Sequence, residues 1–187
     1  MGGHKGTLRA IAWLCPIVLV GLMARAAQQA GEAPKPVAKA DDVKSIDAIL
    51  SALYGTISGP AGQQRDWDRF RSLFVPGARL IPIAAGREGG ARARVMDVEA
   101  FIAAADANTK KAGFYEREIA RRTDAFGDMA HVFSTYESRR AEGEEPFARG
   151  INSIQLLKDG DRWWVVTIYW DAERPGRPIP AEYLPKR

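Results

Sequence analysis

The chain has 187 residues, 46% of them apolar, enough for one domain of ordinary size with its own core and no need of covalent staples. Its formal charge of +4 belongs mostly to the first segment: Lys5, Arg9 and Arg25 are three of the 27 basic residues, and without them 24 basic residues face 23 acidic ones. With that balance the high pI is not evidence for nucleic-acid binding, which needs a concentrated basic patch, and no nucleic-acid partner is expected.

Lys5 and Arg9 precede an apolar run over residues 10–23 and then Ala24-Arg25-Ala26, the three-part layout of a secretory signal peptide with cleavage after Ala26. The alternative is an uncleaved membrane anchor, against which the run is shorter than the roughly 20 residues a span requires; with the leader removed, no stable membrane span is expected. The mature protein is expected to be exported, periplasmic or secreted. Cys15 lies inside this run behind Leu14, where a lipoprotein signal would want a small residue. The mature chain therefore has no cysteine and one histidine, His131, which excludes a disulfide framework, thiol catalysis and the usual zinc sites. No metal and no cofactor are expected.

Residues 27–42, opening AQQAGEAPKPVAKA, read as a flexible linker. From Asp41-Asp42, apolar positions at Ile46, Ile49, Leu50, Leu53 and Tyr54 mark one face of a first helix that ends near Ser58-Gly59-Pro60. The loop 58–62 lacks the Lys-Ser/Thr ending and the preceding strand of a phosphate loop and reads as a plain turn. Asp66 caps a second helix with Trp67, Phe70 and Phe74 on one side, closed by Pro76-Gly77. Residues 78–83 form a short strand that Pro82 marks as an edge or bent segment. The Gly/Arg-rich stretch 84–94 is a hairpin-like loop, with Arg87, Arg92 and Arg94 as solvated charges. Asp97 opens a third helix with Val98, Phe101, Ile102 and Ala105 facing inward.

Four strands follow, over residues 114–123, 129–139, 147–158 and 162–171, the last two joined by an Asp159-Gly160 turn. The final strand, RWWVVTIYWD, has the aromatic and β-branched composition of a central strand. Its alternation separates Trp164, Val166, Ile168 and Trp170 from Trp163, Val165, Thr167 and Tyr169, and both sets are largely apolar. A sheet apolar on both faces needs two covers: helices on one, and a partner subunit or the C-terminal tail on the other. Residues 175–187, with four prolines, form an extended tail that Tyr183 and Leu184 pin to the body.

The element order is α+β. The stretch 66–78, DWDRFRSLFVPGA, resembles the second-helix signature of the nuclear transport factor 2-like superfamily. DGDRWWVV at 159–166, with Tyr169-Trp170-Asp171, resembles the last hairpin of its polyketide-cyclase-like and ketosteroid-isomerase-like branches. The domain so identified covers residues 43–174. The resemblance implies a cystatin-like cone, three N-terminal helices packed on a strongly curved antiparallel sheet around a conical pocket, and a homodimer through the outer sheet face. In the isomerase branch two carboxyls flank the substrate; the resemblance puts them at Pro82 and Gly150, neither of which can do acid–base work. It also puts Trp170 in the pocket wall, which selects Trp164, Val166 and Ile168 with it, and Gly150, Asn152, Ile154 and Leu156 on the neighbouring strand.

His131 is the only side chain of the mature chain with an unperturbed pKa near neutrality, so it is the first candidate for a general base, although it shares a strand face with Met129 and Phe133 and also reads as a surface histidine. Tyr136 and Glu116 are further candidates, and Glu118 and Glu137 lie in strands that could project into the cone. The expected pocket set is Tyr54, Trp67, Phe70, Phe74, Tyr115, Asn152, Trp164, Ile168 and Trp170. These features point to an exported protein that binds a small apolar or aromatic molecule. Two alternatives stand beside it: an enzyme of the cyclase, isomerase or dehydratase type using the same pocket, and a dimerising structural module whose cavity its own side chains fill.

Overall fold

Three side chains start helices by accepting a backbone N–H three residues on: Ser45 from Ala48 at 3.1 Å, Asp66 from Arg69 at 2.9 Å and Asp97 from Ala100 at 2.8 Å. A computed structural model describes residues 2, 36–86 and 90–186; the expected leader apart from Gly2, most of the linker and Arg87 lie outside them. Among the described residues there are four helices: a single turn α1 (Ala40–Val43), then α2 (Ile46–Ile57), α3 (Trp67–Arg71) and α4 (Val98–Thr109). The expected first helix is thus two, because Ser45 takes the extended backbone of an N-cap (φ −150°) and breaks the run. The turn α1 begins within the stretch expected as a linker and ends one residue beyond it. It is held there by Asp42, whose buried carboxylate accepts both Nε and Nη2 of Arg69 at 2.7 Å.

The strands are β1 (Phe74–Ala85), β2 (Ala91–Ala93), β3 (Tyr115–Phe126), β4 (Met129–Arg139), β5 (Ala148–Asp159) and β6 (Arg162–Ala172). They form one open sheet in the order β2-β1-β6-β5-β4-β3. β1 runs parallel to β6 and every other pair is antiparallel, so the sheet is mixed, not antiparallel throughout. No hairpin links β1 to β6, and their relative direction is set only when the two meet. β1 is also longer than the expected strand. It begins at Phe74 and takes in Pro76-Gly77, which a register shift between Phe74 and Arg79 accommodates.

Helix and sheet faces meet in one core that includes Ile49, Leu50 and Leu53 of α2, Phe70 of α3, Val132 of β4, Ile154 and Leu156 of β5, and Val165 of β6. The alternation of β6 is interrupted there. Gln155 pairs with Thr167 but Leu156 pairs with Val165, so Val166 is an extra residue, a β-bulge. The side-chain phase reverses across it. Ile168 and Trp170 face the helices on one side of the bulge, and Val165 and Trp163 face them on the other. Trp164, expected inside, turns to the outer face, where the Arg162 guanidinium lies 3.3 Å above its ring centroid.

The outer face is partly covered by the C-terminal tail. A 3-10 turn at Ala181–Tyr183 brings the Tyr183 ring 5.2 Å from Phe133, and the Tyr183 carbonyl accepts the Thr135 hydroxyl at 2.6 Å. Met129, Leu157 and Tyr169 stay exposed.

The connection from α2 to α3 closes around Arg65. Its buried guanidinium donates to the carbonyls of Ile57 (3.1 Å), Pro60 (3.1 Å), Gln63 (2.7 Å) and Gly59 (2.6 Å). Gly59 leaves room for it: a Cβ at that position would stand 2.9 Å from the guanidinium. The loop read as a plain turn is therefore wound on a cation. Arg65→Ala leaves four carbonyls without this donor and is expected to lower stability by about 3 kcal/mol or more. Urea unfolding measures this, and a loss below about 1 kcal/mol would contradict the central place given to Arg65.

Candidate functional site

The loop wound on Arg65 positions the start of β3. Gly59 and Phe114 exchange both backbone hydrogen bonds, at 2.7 and 3.0 Å, and the Gly62 N–H donates to the Thr109 carbonyl at 3.0 Å. Ser58 Oγ accepts the Glu116 N–H at 3.0 Å. Phe114 and Glu116 are thereby turned toward the helices, with Tyr115 between them turned away.

Between α2, α3, α4 and the inner sheet face lies a cavity of ≈ 310 Å³. Its walls are mostly apolar and include Leu53, Ile57, Phe70, Leu80, Met96, Phe101, Phe114, Ile168 and Trp170. Phe101 stacks on Phe70 with ring centroids 5.3 Å apart and meets Trp170 edge-on at 6.3 Å, an arrangement aromatic quadrupoles favour. Polar groups gather at one corner, where Tyr54, Glu116, Tyr136 and Asn152 all reach the cavity.

Burial governs the chemistry of that corner. It pushes the Glu116 carboxyl up to about 7, opposed by the Ser138 hydroxyl, which donates to Oε2 at 2.8 Å, and by the Asn152 amide. The Tyr136 phenol is raised by burial and then by the charges of Glu116 and Asp171. Burial likewise raises the Tyr54 phenol. Asn152 Nδ2 donates to the Tyr54 hydroxyl at 3.0 Å, Tyr54 bonds Ser134 at 2.7 Å, and the Ser134 hydroxyl donates to Glu118. With the serine proton given to Glu118, Tyr54 must donate to Ser134, so the row has one direction, from the cavity toward β3. Gly150 lies under the Tyr136 phenol. A Cβ there would meet the Asp171 carbonyl at 2.4 Å and the Tyr136 hydroxyl oxygen at 2.5 Å, so only glycine admits that phenol.

A carboxyl poised near neutrality in an apolar cavity has two uses. Protonated, it donates a hydrogen bond to a ligand oxygen; ionised, it is a base little screened by water. Among the described residues no group of three His, Cys, Asp or Glu could hold a metal ion.

Of the expected pocket set, Tyr54, Phe70, Asn152, Ile168 and Trp170 line the cavity, and so do Glu116 and Tyr136. The other positions differ for identifiable reasons. Trp67 is buried edge-on to Phe70 at 5.8 Å and donates its indole N–H to Asp106 at 3.1 Å, while Phe74 packs on Phe70 at 4.7 Å, so both support the wall from behind. Tyr115 sits opposite Arg139 on the face away from the cavity, and Trp164 is turned out by the bulge. His131 lies on the outer sheet face, Nε2 2.9 Å from Ser153 Oγ and ring 5.6 Å from Phe133, because Ala130 and Val132 on either side point into the core. It is not a base for this cavity. Glu137 is also outward, paired with Arg117 and Arg139 at 2.5 Å each. Pro82 lies beside Trp170 in the sheet and does not line the cavity. Arg94 and Arg140 do line the cavity. Arg94, expected as a solvated charge of the Gly/Arg-rich stretch, is exposed and also borders the cavity, while nothing in the Arg139-Arg140 pair singled out Arg140.

No family model matches the chain, and no curated protein matches it. Solved structures do. A Nostoc punctiforme protein of unknown function with a cystatin-like fold superposes with a TM-score of 0.53 at 12% identity, over 71% of this chain and 91% of that one. A nuclear transport factor 2-like protein of unknown function from Pseudomonas putida gives 0.52 at 12%, over 68% and 84%. A candidate dehydratase of the nuclear transport factor 2-like family from Streptomyces avermitilis gives 0.51 at 13%, over 75% and 97%.

The raised Glu116 carboxyl links stability to pH. Between about 4.5 and about 7 the folded chain holds a proton that the unfolded chain has released, so stability falls as pH rises through that window, by about 3 kcal/mol in total. Glu116→Gln is expected to remove this dependence, leaving the variant the more stable of the two at pH 8 and nearly equal at pH 4. Denaturant midpoints across that range check it; parallel curves for the two proteins would show that Glu116 titrates normally.

Proposed function

We propose that this chain, which has the nuclear transport factor 2-like, cystatin-like fold, is an exported protein that binds a small, largely apolar or aromatic molecule in the cavity behind Trp170. One observation carries the reading: ≈ 310 Å³ of apolar-walled space with Tyr54, Glu116, Tyr136 and Asn152 gathered at one corner. Aromatic walls supply contact area, and a few convergent polar groups fix the orientation of a ligand hydroxyl or carbonyl. Space of this size speaks against a module whose own side chains fill its cavity. Among the described residues no helix is long and apolar enough to cross a membrane. The expected material is a chain whose intact mass begins at Ala27 and which sediments as a dimer through the outer face around Met129, Leu157 and Tyr169; retention of residues 1–26, or a monomer, removes those two parts.

Calorimetric titration with 2-naphthol, a neutral aromatic alcohol, tests the binding site. Saturable binding of one molecule per chain is expected, abolished by Ala105→Trp, which fills the cavity from α4. Absence of binding to the parent protein, or equal binding to a folded Ala105→Trp variant, rejects the reading.

The position of Glu116 favours a second reading, an enzyme of the isomerase or dehydratase type in which this carboxylate takes a proton beside a carbonyl that Tyr136 polarises. The likeness to the Streptomyces avermitilis protein is compatible with it. Hydrogen–deuterium exchange α to the carbonyl of 1-indanone in D2O, followed by NMR, should then be accelerated, with a midpoint near pH 7, and fall at least tenfold in Glu116→Gln. Exchange no faster than in buffer, with the ketone bound, excludes it.

A further inference from the structure

The cavity has charge at its rim as well as a polar corner. Arg94 and Arg140 both line it and both are exposed. Arg94 follows β2, its N–H donating to the Pro82 carbonyl at 3.1 Å, and Arg140 follows β4. In the sheet order β1, β6 and β5 lie between these strands, so the two cations approach from opposite flanks with Ile168 and Trp170 of β6 between them. Among the described residues neither is in an ion pair, whereas seven other arginines, from Arg69 to Arg174, are. The Arg140 guanidinium stacks on the Phe147 ring, 4.0 Å from its centroid, a contact that holds the plane while leaving its N–H edge free.

Among the described residues, opposing charge is weak at this rim: the one acidic side chain lining the cavity is Glu116, and burial keeps it largely neutral below pH 7. Glu142, Glu144 and Glu145 in the loop after Arg140 do not line it. The negative end of α4 is covered by its own cap: the Asn108 carbonyl accepts the Lys111 and Ala112 N–H groups at 3.0 and 3.2 Å, and the Thr109 carbonyl accepts that of Gly62 at 3.0 Å.

We infer that the ligand is an amphipathic anion: a carboxylate held at the rim by Arg94 and Arg140, an apolar or aromatic body against Phe101, Ile168 and Trp170, and a hydroxyl or carbonyl at the far end bonded by Glu116 and Tyr136. Guanidinium–carboxylate bonds are about twice as strong as neutral ones and act here beside apolar walls, so they discriminate between an acid and its uncharged isostere. The inference rests on the cavity being the ligand site, as proposed above.

Calorimetry at pH 6 with 6-hydroxy-2-naphthoate, its carboxamide and 2-naphthol separates the two ideas. The acid is expected to bind at least tenfold more tightly than the amide of the same shape. This preference should shrink in added salt and fall to near unity in the Arg94→Gln, Arg140→Gln double variant. An acid no tighter than its amide, or a preference that survives in the double variant, overturns the anion assignment while 2-naphthol binding leaves the cavity reading standing. Failure of all three probes to bind overturns both.

Discussion

Among the described residues, Arg65 is a buried cation with no anion beside it. Its guanidinium spends its donors on four backbone carbonyls of the loop between α2 and α3, and that loop then presents Gly59 to Phe114 and Gly62 to Thr109. Three elements are joined there: the end of α2, the end of α4 and the start of β3. Backbone carbonyls are fixed dipoles that would otherwise need water, so one charged side chain both satisfies them and sets the path of the chain. The start of β3, which carries Glu116, is tied to this contact through Gly59–Phe114 and Ser58–Glu116, and the rest of the strand is placed by its pairing with β4.

The candidate site works against the stability of the domain that carries it. A carboxyl whose proton affinity is raised to about 7 destabilises the folded state at neutral pH, and side chains lining a cavity forgo dispersion contacts with other protein atoms on that side. Support comes from behind. Phe70 is flanked by Trp67, Phe74 and Phe101, Trp67 is tied to Asp106, and the polar corner is held by a directed row of hydrogen bonds from Asn152 to Glu118. Gly150 contributes by what it lacks, since the Tyr136 phenol occupies the place of its missing side chain. The expected carboxyl position on β5 is therefore vacant for a reason: a carboxyl enters this cavity from β3.

The two faces of the sheet are treated differently. Helices cover the inner face except over the cavity, while the outer face receives a short C-terminal turn around Phe133 and Thr135 and leaves Met129, Leu157 and Tyr169 to solvent. The bulge at Val166 divides the tryptophans of β6 between them: Trp163 and Trp170 go inward, and Trp164 lies outside under Arg162.

Local chemistry in the sequence determined much of the molecule. Asp66 and Asp97 announced their helices because a cap needs only a side-chain oxygen and the next turn of backbone. The i, i+3, i+4 spacing from Ile46 to Tyr54 gave the buried face of α2, and the β4–β5–β6 meander followed from composition and turns. Asn152, Ile168 and Trp170 were legible as inward because no bulge separates them from the positions that set their phase, whereas Glu116 and Tyr136 were candidates alongside their outward neighbours Tyr115 and Glu137, their phase left open. Tertiary structure decided the rest. The parallel pairing of β1 with β6 joins segments far apart in the chain, and a single inserted residue, Val166, reverses every side chain beyond it without altering the composition of the strand. His131 is placed away from the cavity by phase alone, Arg94 and Arg140 reach the cavity by where two loops lie, and the raised proton affinity of Glu116 exists only because the fold removes water from it. A sequence carries periodicity and caps directly, but register and desolvation are properties of the assembled sheet.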